Sequence, residues 1–201
     1  MSRSLTKPIA YALIAGLLEL PLVARPAQAQ ASAGASPDLM NAASATEVRK
    51  QFLNDLDTLQ AKFVALANAF PAEKYSWRPA PGVRSVGEAF MHVASEYYFY
   101  TPLSYGLPTS PVIPRAQGAF EAFEKNSTKA DALKHLAEAF AYMRPAIAGA
   151  DISALTGARK LFGGDRTIAE TSLIMSADLH EHMGQLIAYA RMTGVKPPWS
   201  K

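Results

Sequence analysis

Apolar residues recur every three or four positions along four separate segments of the chain, which is the spacing of one buried helix face. These segments cover about 45–70, 86–100, 129–142 and 168–193. In the first of them the apolar stripe consists of Phe52, Leu56, Leu59, Phe63, Leu66 and Phe70. No segment shows sustained alternation of apolar and polar residues, so the pattern predicts an all-α fold with little or no sheet.

Each segment opens with a Ser/Thr-x-x-Glu/Asp sequence, the capping-box pattern in which two side chains satisfy backbone N–H groups at a helix start. The pairs are Ser44 with Glu47, Ser85 with Glu88, Thr128 with Asp131, and Thr167 with Glu170. Pro71 and Pro102 indicate the ends of the first two helices, and Gly194 indicates the end of the last. The third helix is predicted either to end near Tyr142 or to continue past Pro145 with a kink.

The connections between these helices are rich in proline and glycine. Residues 71–84 and 149–166 are predicted as loops. The connection over 102–126 is long and is expected to contain one short helical turn at 120–125. Four helices with long loops after the second and third predict a four-helix bundle in one domain.

The N-terminus has the features of a secretory signal peptide. Arg3 and Lys7 precede an apolar run over 9–23, and residues 27–29 (Ala-Gln-Ala) form a small-x-small cleavage site. We therefore expect a periplasmic or secreted protein. The alternative, a retained membrane anchor, is disfavoured because the run is short for a membrane span and contains Glu19.

The chain then divides into a signal peptide (1–29), a flexible leader (30–43) and the helical domain (44–201). Removing the signal peptide lowers the counts of 20 basic and 17 acidic residues to 17 and 16. No cluster of basic residues is present, which argues against a nucleic-acid partner, and no membrane segment is expected after cleavage. Cysteine is absent, so disulfides are excluded and any metal site must use His, Asp or Glu.

Two candidate metal ligands lie on the last predicted helix. Asp178 and His182 are four residues apart, so they share one face of that helix. His92, on the second helix, is the third candidate. Two histidines and one carboxylate suit a divalent ion such as Zn, Ni, Mn or Fe. The alternative is a hydrogen bond between Asp178 and a histidine at the end of the bundle.

Three other ionisable residues are expected to be solvated. His180 projects about 200° away from His182 around the helix, which places it on the surface. His135 has no partner at a clear spacing, so a solvated helix face is expected. Glu96 lies one turn beyond His92 and could orient it or act as a base, but a solvated glutamate is the favoured interpretation.

The aromatic run over 97–100, together with Tyr105, has two possible roles. Aromatic residues at helical spacing usually build a core or an interface. The other role is to line a ligand pocket.

Several short motifs together resemble the DinB-like superfamily over about 45–199. They are Trp77-Arg78-Pro79, the set Ser85, Glu88 and His92, the run His182-Met183-Gly184-Gln185, and the ending Gly194-Val195-Lys196-Pro197-Pro198. The resemblance implies an up-down-down-up four-helix bundle, often dimeric. It also implies a divalent metal held by three histidines, of which His92 and His182 match two. The remaining ligand position falls on Asp178 in this chain.

The family resemblance leaves two functions open. One is a metal-dependent transferase that uses a low-molecular-weight thiol, or a hydrolase, acting on an unknown small-molecule substrate. The other is a non-catalytic exported bundle with a degenerate metal site that binds a small ligand or a partner. A homodimer is expected from the resemblance in either case.

Overall fold

The structure is a computed structural model. It describes residues 41–105, 108, 110–114, 116–125, 127–151, 156, 158–161 and 164–200. The predicted signal peptide and most of the predicted leader lie outside these residues, so export and cleavage after Ala29 stay predictions. None of the described helices contains a stretch that is both long and apolar enough to cross a membrane.

The described residues form five α-helices and one β-hairpin. The helices are α1 (Ala42–Ala69), α2 (Val86–Tyr105), α3 (Ala119–Lys125), α4 (Lys129–Ala148) and α5 (Ile168–Met192). Both α1 and α2 pack against α4 and α5, so α1 and α2 lie on one diagonal of a four-helix bundle. The short helix α3 packs on α2 outside this bundle.

Contacts between helix ends fix the direction of α4 relative to α1. The Lys129 ammonium donates to the carbonyl of Phe70, 2.8 Å away, so the start of α4 lies at the end of α1. At the other end, Arg49 donates to the carbonyl of Ala150 at 2.6 Å. The two helices are therefore antiparallel.

The other two helices complete an up-down-down-up order. Asp55, near the middle of α1, contacts His180 of α5, and Ala45 packs with Ile168, so α1 and α5 are parallel. Tyr105 at the end of α2 contacts Ser172 near the start of α5, so these two helices are antiparallel. The bundle order predicted from the family resemblance is confirmed.

The apolar stripe predicted for the first helix lies in the core of the bundle, together with buried residues of α2, α4 and α5. All six of its members are buried: Phe52, Leu56, Leu59, Phe63, Leu66 and Phe70. Gly194, with φ +72°, ends α5 in the left-handed conformation that glycine adopts without strain, as the sequence predicts.

Three of the four predicted capping sequences cap the helices α2, α4 and α5. The first prediction is wrong, because α1 begins earlier. The Asn41 side chain accepts the backbone N–H of Ser44 at 2.9 Å and caps the helix at Ala42. Asn is as good an N-cap as Ser, so two adjacent start signals compete and the earlier one is used.

Two further predictions are corrected. Helix α2 does not stop before Pro102 but continues to Tyr105, because Pro102 and its neighbours are buried against the bundle and packing offsets the lost hydrogen bond. Residues 149–166 are not all loop, since β1 (Ala158–Leu161) pairs antiparallel with β2 (Gly164–Thr167). Strands of four residues are too short to give a clear alternation signal.

We predict that Gly87→Ala destabilises the fold. A Cβ at position 87 would lie 2.1 Å from the backbone oxygen of Ser127, so the start of α2 and the chain before α4 would have to separate. The expected loss is about 1–3 kcal/mol in the free energy of unfolding, measured with urea. The matched control is Gly184→Ala in α5, where a Cβ meets open space and about 0.5–1 kcal/mol should be gained. Equal effects at both sites would contradict the close contact.

Candidate metal centre

Two helices bring three potential metal ligands together. His92 and Glu96 are one turn apart on α2, and His182 lies opposite them on the antiparallel α5. One donor atom from each lies within 4.8 Å of the others. The Oε1 atom of Glu96 is 3.2 Å from Nε2 of His92 and 3.5 Å from Nε2 of His182. The two imidazole rings are nearly perpendicular, with centroids 4.8 Å apart.

The second nitrogen of each ring has its own partner. Nδ1 of His92 lies 2.6 Å from the Glu124 carboxylate, and Nδ1 of His182 lies 3.4 Å from Oε1 of Gln185. Both partners are acceptors, so they hold a proton on Nδ1. Both Nε2 atoms therefore face Glu96. Imidazoles that bind metals in proteins are oriented in this way by an outer carboxylate or carbonyl.

Arg84, in the loop before α2, joins the two outer partners. Its guanidinium donates to both oxygens of Glu124, at 2.7 and 3.3 Å. Its backbone carbonyl accepts from the Tyr189 hydroxyl at 3.2 Å, and that hydroxyl accepts from the Gln185 amide at 2.9 Å. The orientations of the His92 and His182 rings are thus tied to the same loop residue.

Glu96 is buried, contrary to the solvated glutamate expected from the sequence. Its side chain is 8% exposed, and its Oε2 has no hydrogen-bond partner among the described residues. Burial would raise the pKa of Glu96, but hydrogen bonds from His182 and His92 lower it to about 2. A buried, ionised carboxylate with an unpaired oxygen is a natural cation ligand, since such a group is costly to bury unpaired. The four-residue spacing of His92 and Glu96, the same as that of Asp178 and His182, is the sequence signal that could have found it.

Asp178 lies at the rim of this site. Its Oδ1 is 3.7 Å from Nε2 of His182, and its side chain is 39% exposed. Burial and the negative charge of Glu96 raise the pKa of Asp178 to about 6. The three residues whose donor atoms lie within 4.8 Å of one another are His92, Glu96 and His182, whereas the sequence predicts Asp178 as the carboxylate ligand. That role of Asp178 stays a prediction. Burial and, to a smaller extent, the charges of Glu96 and Asp178 also raise the pKa of Tyr100.

The remaining histidines lie away from the site. His180 is 55% exposed and pairs with Asp55 of α1 at 2.9 Å, which confirms the surface position. His135 is not on a solvated face: its side chain is 18% exposed and its ring packs on Phe123, with centroids 4.8 Å apart. Helix α3 covers this part of α4, and the periodicity of α4 alone does not reveal that cover.

In the metal-free protein, the contacts with carboxylates favour the protonated form of both histidines of the site. Burial would lower the pKa of His92, but hydrogen bonds to Glu124 and Glu96 raise it to about 9. The hydrogen bond to Glu96 also raises the pKa of His182, against the effect of burial. A divalent cation between the rings and Glu96 would take the place of these protons, because imidazole binds metal in its neutral form.

Comparison with known proteins decides the family. The family model of the DinB superfamily matches residues 55–186. The chain belongs to the DinB superfamily. A crystal structure of a DinB-like protein from Bacillus cereus ATCC 10987 has a similar fold, with a TM-score of 0.60 and 15% identity over 76% of this chain and 97% of that one. No curated protein matches the chain.

The donor set of this DinB-superfamily chain fits a divalent transition metal. Two imidazole nitrogens and one carboxylate oxygen suit Zn, Fe, Mn or Ni. Three protein ligands leave coordination positions open for water or a substrate atom. The fit rests on the converging Nε2 atoms and on the unpaired Oε2 of Glu96.

We predict that Glu124→Gln weakens metal binding about 10–100-fold, because Glu124 holds the His92 ring with Nε2 turned inward. The measurement is titration of the chelator-treated protein with Zn(II) or Ni(II) by calorimetry. Glu121→Gln is the matched control, since Glu121 is an exposed residue of the same short helix and should bind metal like the wild type. Equal affinity of both variants would show that the ring orientation does not depend on Glu124.

We also predict a pH dependence of the metal-free protein. The pKa of His92 is raised from 6.5 to about 9 on folding, so its stabilising contribution is complete below pH 6.5 and is lost as the pH rises through 9. The thermal midpoint, measured with chelator from pH 6 to pH 10, should therefore fall over this window. His92→Gln should have a flatter profile, because glutamine does not titrate. An unchanged slope in the variant would assign the dependence to other groups.

Proposed function

We propose that this protein binds one divalent transition metal through His92, Glu96 and His182 and uses the open coordination positions for group transfer or hydrolysis. The observation that supports this most directly is that both imidazole rings turn Nε2 toward one buried carboxylate oxygen. When bound, the metal would act as a Lewis acid and lower the pKa of a coordinated water or thiol.

The residues around the site have separate roles in this proposal. Glu124 and Gln185 orient the rings through their Nδ1 atoms. Glu96 supplies the one carboxylate of the set, so a divalent ion keeps a net positive charge and favours an anionic ligand such as hydroxide or thiolate. Asp178 is partly exposed and close to His182, in a position to take a proton from a ligand entering the open side.

The second candidate function is a ligand-binding bundle whose metal site has degenerated. Two observations favour it: Asp178 stands where the family resemblance implies a third histidine, and protein carboxylates lie within 3.2 Å of both ring nitrogens of His92. In this case the His–Glu cluster is a structural network, and the clefts beside it bind a small molecule without chemistry. The homodimer stays a prediction from the family resemblance.

We predict that the full-length protein, purified without a histidine tag or chelator, contains close to one equivalent of metal by elemental analysis. His182→Ala should lose most of it, because one of two imidazole ligands is removed. His180→Ala is the matched control two residues away, and it should keep the metal, since His180 bonds to Asp55 instead.

Two carboxylate variants sharpen the same experiment. Glu96→Gln should lose the metal, whereas Asp178→Asn should retain it with a smaller loss of affinity, since Asp178 lies at the rim. A larger loss of metal in Asp178→Asn than in Glu96→Gln would identify Asp178 as the carboxylate ligand. Wild-type protein that stays metal-free after incubation with Zn, Ni, Mn and Fe(II) would support the degenerate site and reject the metal-dependent function.

A further inference from the structure

Helix α3 carries Glu124, the outer partner of His92, but it is too short to fix its own position. A helix of seven residues is marginal by itself in water, so its placement depends on the elements it packs against. Glu124 lies 2.6 Å from Nδ1 of His92, and a shift of α3 by about one ångström would stretch that contact beyond ordinary hydrogen-bond length. The residues that attach α3 to the bundle therefore influence the orientation of the His92 ring.

The side chain of Phe123, the residue before Glu124, packs against rings of two different helices. Its ring meets that of His135 of α4 with centroids 4.8 Å apart and an interplanar angle of 66°. It meets the ring of Tyr98 of α2 at 86°, with centroids 6.2 Å apart. Both contacts have the edge-to-face geometry that aromatic pairs favour. Phe123 thus attaches α3 to α2 and α4 together.

The two rings that receive Phe123 are fixed in the bundle. Tyr98 is 3% exposed, and its ring also contacts that of Tyr142 on α4. The first two residues of the aromatic run over 97–100 are buried in the core, and the last two are only partly buried. Nδ1 of His135 is buried and has no hydrogen-bond partner among the described residues, since the Glu138 carboxylate is 3.7 Å away. His135 therefore contributes packing to this contact.

Two other contacts of α3 are less buried. Arg84 binds Glu124, but its side chain is 42% exposed and comes from the loop before α2. Phe120 packs on Phe99 with centroids 4.7 Å apart, and both rings are only partly buried. Of these contacts, the one made by Phe123 is the one that reaches a buried ring of the core.

We propose that Phe123 is a positioning residue of the metal centre. By packing on α2 and α4 it holds Glu124 against Nδ1 of His92, and so keeps Nε2 of that ring turned toward Glu96. The inference deepens the proposed function and rests on it for the metal measurement alone, because the contact between Glu124 and His92 is made by protein atoms.

The first test is a double-mutant cycle on the Zn(II) affinity of the full-length, chelator-treated protein, measured by calorimetry. Phe123→Ala should weaken binding about tenfold, the lower end of the range for loss of an outer partner. In a Glu124→Ala background the same change should have no further effect, because no acceptor is left to position. A purely structural role of Phe123 would give the same loss in both backgrounds. That additivity, or wild-type affinity in Phe123→Ala, would overturn the proposal.

Variants of His135 test the same contact from α4. His135→Ala removes the ring against which Phe123 packs and should repeat the loss of affinity, again only where Glu124 is present. His135→Phe keeps a ring at this position and should bind Zn(II) like the wild type. Wild-type affinity in His135→Ala would contradict the role of the contact. Because His135 and Phe123 lie on separate helices, loss of folding in one variant leaves the other to decide.

Phe120 offers a comparison on the same short helix. Its contact with Phe99 is less buried, so Phe120→Ala should lose less Zn(II) affinity than Phe123→Ala. An equal or larger loss would assign the positioning of α3 to that contact and overturn the role of Phe123. Leu173→Ala, at an exposed apolar residue of α5, is the control for truncation and should keep wild-type affinity.

A second measurement needs no metal and separates this inference from the metal function. Glu124 accepts the proton on Nδ1 of His92, and that proton gives an NMR signal in isotope-labelled, chelator-treated protein, identified by its loss in His92→Gln. At one fixed pH, Phe123→Ala should lose the signal through faster exchange with water, and Leu173→Ala should keep it. An unchanged signal in Phe123→Ala would overturn the proposal. Protein that takes up no Zn(II) but shows this loss would reject the metal function and support the positioning role.

Discussion

The site depends on one buried anion, the carboxylate of Glu96. An ionised carboxylate in a helical core is costly unless cations or strong donors surround it. His92 and His182 supply that compensation from two antiparallel helices, and their rings converge on the same Glu96 oxygen. The second oxygen has no hydrogen-bond partner among the described residues, which leaves the anion only partly satisfied. This unpaired oxygen is the physical reason for proposing a cation at the cluster.

A second layer of contacts makes the convergence possible. Each imidazole has two nitrogens, so an inward-facing Nε2 requires an outer acceptor that holds the proton on Nδ1. Glu124 provides this acceptor for His92 from the short helix α3, and Gln185 provides it for His182 from within α5. Arg84 links both through its side chain and its backbone. The long connection between α2 and α4 is therefore part of the site as well as a crossover, since it carries α3 and its Glu124.

Local patterns in the sequence predict the four-helix bundle and two of the three candidate metal ligands. Periodic apolar residues and capping sequences predicted four helices, and the family motifs predicted their up-down-down-up order and selected His92 and His182. The sequence around Glu96 predicts a solvated residue, because a glutamate on a helix is usually solvated; the packing of α5 against α2 buries this one. Pro102 predicts an earlier end of α2 for a similar reason: the lost hydrogen bond is a local cost, whereas the burial that offsets it comes from other helices.

By itself, the sequence determined the helices, the family, the absence of cysteine ligands and nucleophiles, and the two histidines of the candidate site. These properties follow from local spacing and from residue types, which a linear sequence contains in full. The tertiary structure alone decided which carboxylate approaches both imidazoles and that Glu124 of α3 orients the His92 ring. Each of these depends on distances between residues far apart in the chain, and those distances are set by how the helices pack.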